Sequence, residues 1–207
     1  MAGMLKLGSF VAAALTGIVF FALYRPWHLR WGSTREEVAR GMPGDEVVLA
    51  PTFSATRGVT VEERPEAVWP WIVQIGFGRA GWYSYDVLDN LGHHSAEWIM
   101  PELQHIEVGD LIPVGPAEDA GMRIKAFEPN RWVLWSEPNQ LTTWVWSLEP
   151  MPGGHTRLIT RVRSRSSWRH PTTAIWLLLV EVADFPMMRK CLLGIKRRAE
   201  AIVPEKV

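Results

Sequence analysis

The chain has 207 residues, 47% of them hydrophobic and 21% charged, which suits one domain with a buried core and excludes a disordered chain. Lysine plus arginine equals aspartate plus glutamate at 22 each, so the basic surface that nucleic-acid binding needs is missing. A single cysteine, Cys191, rules out an intramolecular disulfide and a cysteine-built zinc site, and reads as a small buried hydrophobe.

From the N-terminus, Leu7 to Tyr24 (LGSFVAAALTGIVFFALY) carries no charge over eighteen residues, about what a helix needs to cross a bilayer. The only A-x-A match, Ala12 to Ala14, falls inside the run, so an uncleaved single-pass anchor is expected rather than a cleaved signal peptide. Arg25, Trp27, His28, Arg30 and Trp31 follow as a cationic and aromatic collar suited to the headgroup layer. Four arginines after the span (Arg25, Arg30, Arg35, Arg40) against Lys6 before it favour a cytoplasmic main domain. The chain therefore divides into an anchor and collar (1–31), a linker with a short helix (32–50) and a folded domain (51–207).

The linker helix is announced by Ser33 or Thr34 ahead of Glu36 and Glu37, a capping pattern. Phe53 to Glu62 alternates as a strand, with Phe53, Ala55, Arg57, Val59 and Val61 on one face. Arg57 on that apolar face needs a partner or a polar ligand, unless a bulge turns it to the surface. Residues 64–76 form a helix from Pro65, with a kink or break expected at Pro70.

An insert, AGWYSYDVLDNLGHHSAEW (80–98), gathers Trp, Tyr, Asp, His, Ser and Glu in one stretch. Beyond Val108 the chain becomes an antiparallel meander, with hairpin turns at 128–131 and 152–155. Trp144, Trp146 and Leu148 share one strand face. Arg157, Arg161, Arg163 and Arg165 share the outer face of the last strand, where a solvated basic surface is expected. Finally, Ile175, Leu178, Val182, Phe185, Met188, Leu192, Ile195, Ala199 and Ile202 mark one apolar stripe of a long helix, bent or restarted near Pro186. Such a helix is best buried across the face of the sheet.

In this order, ATRGVTVEERPEAVWPWIVQIG, GWYSYDVLDNL, HSAEWIMPELQ, VGDLIPVG and MMRKCLLGIKRRAE make residues 50–203 resemble the START-like helix-grip superfamily, the polyketide cyclase and lipid-transport group. The resemblance implies an α+β helix-grip fold, a curved antiparallel β-sheet wrapped around a long C-terminal α-helix, here preceded by an N-terminal transmembrane helix. It also implies a cavity between sheet and helix. By that resemblance Arg57, Trp82, Ile124, Trp132, Trp144 and Trp146 would line it, opposite Leu178, Val182 and Phe185. The superfamily spans passive binders, cyclases and oxygenase domains, so the fold does not settle function.

The insert's residue types bear on three chemistries. A metal site built from His93, His94, Glu97 and Glu102 lacks the H-E-x-x-H spacing that puts two imidazoles on one helix face. A nucleophilic serine lacks the G-x-S-x-G elbow. General acid–base work by Tyr83, Tyr85, Asp86 and His94 is the best catalytic case, of cyclase or dehydratase type. Against it stands a simpler role as lid and pocket wall, and the stretch ranks as wall first, proton-transfer site second, metal site third. The expected partners are a hydrophobic small molecule or lipid and the membrane, with no cofactor and no nucleic acid. A membrane-associated protein-interaction module is the further alternative.

Overall fold

Alternating apolar residues with turn signals between them give six strands: β1 (Phe53–Val61), β2 (Leu111–Pro113), β3 (Gly121–Glu128), β4 (Trp132–Ser136), β5 (Thr142–Met151) and β6 (His155–Ser164). They form one antiparallel sheet in the order β1-β6-β5-β4-β3-β2, so the first strand closes onto the last. The computed structural model describes residues 17–117, 119–166 and 171–201, the side chains of 171–176 excepted. Asn130, with φ +60°, turns the β3–β4 hairpin, and Gly153 and Gly154, both at positive φ, turn the β5–β6 hairpin. A bulge between Ile124 and Ala126 interrupts the β3–β4 register.

Around the sheet lie α1 (Arg25–Leu29, following a π-helical turn Phe20–Tyr24), α2 (Arg35–Ala39), α3 (Pro65–Val73), α4 (Asp86–Asp89) and α5 (Pro171–Glu200). Val61, Leu158, Trp146, Val133, Trp135 and Ile124 of the sheet are buried in one cluster with Met188, Leu192 and Ile195 of α5 and Ile72 of α3. This is a sheet gripping a long helix, the helix-grip architecture. Two expectations about prolines give way. Both α3 and α5 run unbroken through Pro70 and Pro186. Pro186 is exposed, and so is Val182, whose carbonyl it deprives of a donor, so water can serve the orphaned group.

The outer face of β6 is not a solvated basic surface. Residues 33–49 lie along it, and Met42 packs with Leu134, Val145 and Ile159 in a second cluster. Arg161 is buried, ion-paired to Asp45 at 2.6 Å and donating to the carbonyls of Glu37, Val38 and Arg40. Arg157 pairs with Glu37 at 2.7 Å and Arg163 with Asp45 at 3.2 Å. The strap is held in place by a capping box, with Thr34 and Glu37 each accepting from the other's backbone N–H. Arginines on an outward strand face therefore anchor a covering segment, each using several of the guanidinium donors.

Among the described residues no helix is long and apolar enough to cross a membrane. The run Leu7–Tyr24 begins outside the described residues. Its last part leads into α1 and leaves Ile18, Val19, Phe21 and Leu23 exposed. Of the expected collar, Trp27 is exposed, but His28 is completely buried against α5. Tyr24, Trp27, His28 and Trp31 surround the ring of Phe185, with centroids 5.1–6.4 Å away.

Candidate functional site

Four tryptophans dominate the interior. Trp135 of β4 and Trp144 of β5 are cross-strand partners, their rings edge-on at 5.3 Å, and Trp144 stacks on Trp146 at 5.2 Å. Trp82, delivered by the insert, lies parallel to Trp144 at 5.6 Å. The Trp144 indole N–H donates to Thr160 at 2.6 Å and so fixes its ring. Trp135 and Trp146 are almost wholly buried and, with the aliphatic side chains of the sheet, α3 and α5, fill the interior.

At the edge of this core a cavity of about 180 Å³, partly open to solvent, is walled by Trp82, Trp144 and Val114 on one side and by Met187, Met188 and Cys191 of α5 on the other. Ser84, Asp89 and Asp184 supply its polar groups. An apolar cavity of about 150 Å³ admits benzene, whereas drug-sized ligands occupy about 300–1,000 Å³. The space thus fits one aromatic ring or a short branched chain. Thioethers and a buried thiol make its helix side soft and adaptable. Burial pushes the Cys191 thiol well above its ordinary value, so it stays protonated and unreactive.

A second cavity of about 210 Å³ lies beyond Asp184, lined by Phe53, Val162, Leu177, Val180 and Glu181. Asp184 belongs to the walls of both. Arg57, 1% exposed, reaches Asp184 from β1 at 2.7 Å and donates to the carbonyl of His28 at 3.0 Å, with its guanidinium 5.5 Å from the Phe185 ring. Glu181 receives Arg25 at 2.8 Å and faces His28 at 3.3 Å. Burial holds the His28 imidazole below its ordinary pKa despite the nearby Glu181 carboxylate, with Arg57 and Arg25 adding to the depression. The arginine that needed a partner found one in the protein, and the pair stands between two cavities.

Of the four residues expected to do acid–base work, Asp86 and His94 lie side by side, and Asp86 and Tyr83 line one shallow groove with Ser84 and Ser95. Tyr83 is buried with φ +55°, its hydroxyl accepting from Gln74 at 2.9 Å and donating to the Trp71 carbonyl at 3.0 Å. Burial raises its pKa strongly, and it points into the core beside α3. Tyr85 is exposed beneath Lys190, whose ammonium sits 3.9 Å from the ring centroid. Burial works against the Asp86 charge, but hydrogen bonds from Ser95, at 2.5 Å, and the neighbouring His94 outweigh it and lower its pKa. His94 itself is 97% exposed, 3.4 Å from Asp86. Among the described residues no three His, Cys, Asp or Glu converge to hold a metal ion.

Of the expected lining residues, Trp82 and Trp144 form the cavity wall. Trp146 and Ile124 are buried deeper in the core. Trp132 is on the opposite face of the sheet with Met42 and Leu134, because alternation from the buried Trp135 and Val133 turns it outward. Val182 is 38% exposed, Leu178 is half-buried, and Phe185 lies under α1 rather than on the cavity.

Sequence reasoning missed Asp89, Asp184 and Glu181. The signal was present: two acids inside the apolar stripe of α5 opposite one arginine inside an apolar strand face. Asp89 is the wall's one acid without a cationic partner among the described residues; burial raises its pKa, and one of its oxygens is buried without a hydrogen bond.

No protein-family model matches the chain, and no curated protein resembles it significantly in sequence. Solved structures do resemble it in chain course. The Polyketide_cyc-like protein Cgl2372 from Corynebacterium glutamicum is 16% identical, with 70% of this chain and 89% of that one covered at a TM-score of 0.42. The KanY protein is 12% identical, with 72% and 97% covered at 0.47. A conserved protein of unknown function, EF2215 from Enterococcus faecalis, is 12% identical, with 79% and 86% covered at 0.44. At such identities nothing about ligand or activity carries over.

Proposed function

We propose that the chain is a membrane-tethered binding domain that holds a small hydrophobic molecule, or the end of a lipid chain, in the cavity between Trp82, Trp144 and α5. The observation that carries this reading is the pocket itself, a mainly apolar opening between Trp82, Trp144 and α5. A mainly apolar pocket with a few polar groups at its wall is the usual form of a small-molecule site. The uncharged run ending at Tyr24 and the exposed Ile18, Val19, Phe21 and Leu23 support the tether in this reading.

Mass spectrometry of small molecules extracted from the detergent-purified full chain tests this reading. One apolar species near stoichiometry is expected, and Met188→Trp, which fills the cavity, should lose it while remaining folded. An empty wild-type protein, or the same species retained by the filled variant, overturns the reading.

A second reading, proton transfer of cyclase or dehydratase type, is favoured by Asp89 alone. Its carboxyl is raised by burial, faces the cavity, and has an oxygen without a partner. Turnover of the extracted molecule that disappears in Asp89→Asn would support that reading. An unchanged molecule after incubation would leave binding.

A further inference from the structure

We propose that the groove between α1 and α5 seats the anionic headgroup of a membrane phospholipid, fixing how the domain stands on the bilayer. The groove, about 620 Å³, is lined by Trp27, Trp31, Tyr85, Arg189, Lys190 and Leu193 among others. It combines two cations with amphipathic rings, the pairing that interfacial protein surfaces use at headgroup level. The Arg189 guanidinium lies 5.2 Å from the Trp31 ring and the Lys190 ammonium 3.9 Å from the Tyr85 ring. Both cations are exposed, and neither pairs with a carboxylate among the described residues.

Their neighbours differ in this respect. Lys196 is bound to Glu200, Arg197 and Arg198 to Glu97, and Arg25 to Glu181. Among the described residues Arg189 and Lys190 thus keep their charge unpaired, as exposed Arg30 does at the end of α1.

The position selects the occupant. Tyr24, the last residue of the uncharged run, is itself a groove wall, so the groove opens where that run would leave the hydrocarbon. Trp27, 53% exposed, stands at the same level. Phe185 and the Arg25–Glu181 pair fasten α1 to α5 at this wall. A phosphodiester would lie between Arg189 and Lys190, and its acyl chains would continue along Phe21 and Leu23. This inference rests on the membrane tether and not on the cavity's ligand.

The test uses the full chain in nanodiscs of equal phosphatidylcholine and phosphatidylglycerol, with the lipids retained after release counted by native mass spectrometry. Preferential retention of phosphatidylglycerol is expected, roughly fivefold for each cation engaged, given the usual attraction of Lys or Arg to an anionic surface. The preference should vanish in Arg189→Glu/Lys190→Glu and in the milder Arg189→Gln/Lys190→Gln. It should persist in Arg197→Glu, which alters a cation outside the groove. Equal retention of both lipids, no retained lipid, or an undiminished preference in the charge variants overturns the proposal. The small molecule extracted from the cavity is read separately, so loss of one finding leaves the other standing.

Discussion

Tyr83 looked reactive by composition and is structural by geometry. Its hydroxyl joins Gln74 to the Trp71 carbonyl inside the core, so Tyr83→Phe should cost about 1–2 kcal/mol in denaturant unfolding and leave ligand retention intact. The Arg57–Asp184 pair predicts an asymmetry. Asp184→Ala strands a buried guanidinium and should cost roughly 3–5 kcal/mol, whereas Arg57→Met leaves a partly exposed carboxylate that water reaches and should cost clearly less. Equal losses in the two unfolding curves would contradict that picture.

His28 gives a pH signature. Its folded pKa lies below the ordinary 6.5, so between those values the unfolded chain holds a proton that the folded chain lacks. Stability is therefore complete above about 6.5 and falls as pH drops toward the folded value. His28→Phe should flatten the difference between unfolding curves at about pH 7.5 and 5.5. At this scale the sequence was partly legible. It flagged Arg57 as needing a partner, but a buried histidine and an exposed one look alike in a string, and only packing distinguishes His28 from His94.

Among the elements, α5 carries most of the organisation. Gly194 lets it approach the insert: a Cβ there would stand 2.3 Å from the Tyr83 carbonyl oxygen and 2.8 Å from its Cβ. Gly194→Ala should therefore push the insert away, costing about 1–3 kcal/mol, with the change visible in the thermal midpoint. One turn on along the same face of α5, Arg198 also holds the insert, donating to the Ala96 carbonyl at 2.8 Å with its guanidinium 4.4 Å from the Tyr83 ring. Strand alternation, the hairpins and the apolar stripe of α5 from Phe185 to Ala199 were readable from periodicity; Val182 is exposed, and Ile175 and Ile202 of the expected stripe lie outside the described side chains. The covering of β6 by residues 33–49 was not, since an arginine-rich strand face reads the same whether water or a backbone strap meets its guanidinium groups. The same limit put Trp132 inside: alternation fixes which residues share a face but not which face is inward.

For the whole molecule, the helix-grip architecture was legible because element order, hairpin spacing and one long amphipathic helix leave few ways to bury the sheet's apolar face. The site was less so. The tryptophans expected along the cavity announced aromatic walls, but not that only Trp82 and Trp144 would border an opening of about 180 Å³. Small-molecule binding there is most directly tested by following the tryptophan indole N–H resonances of the full chain in detergent micelles while a benzene-sized probe such as toluene is added. Saturable shifts at Trp82 and Trp144, none at the outward-facing Trp132, and their loss in Met188→Trp are the expected result. Shifts that are absent, or that extend equally to Trp132 and survive in Met188→Trp, would contradict it.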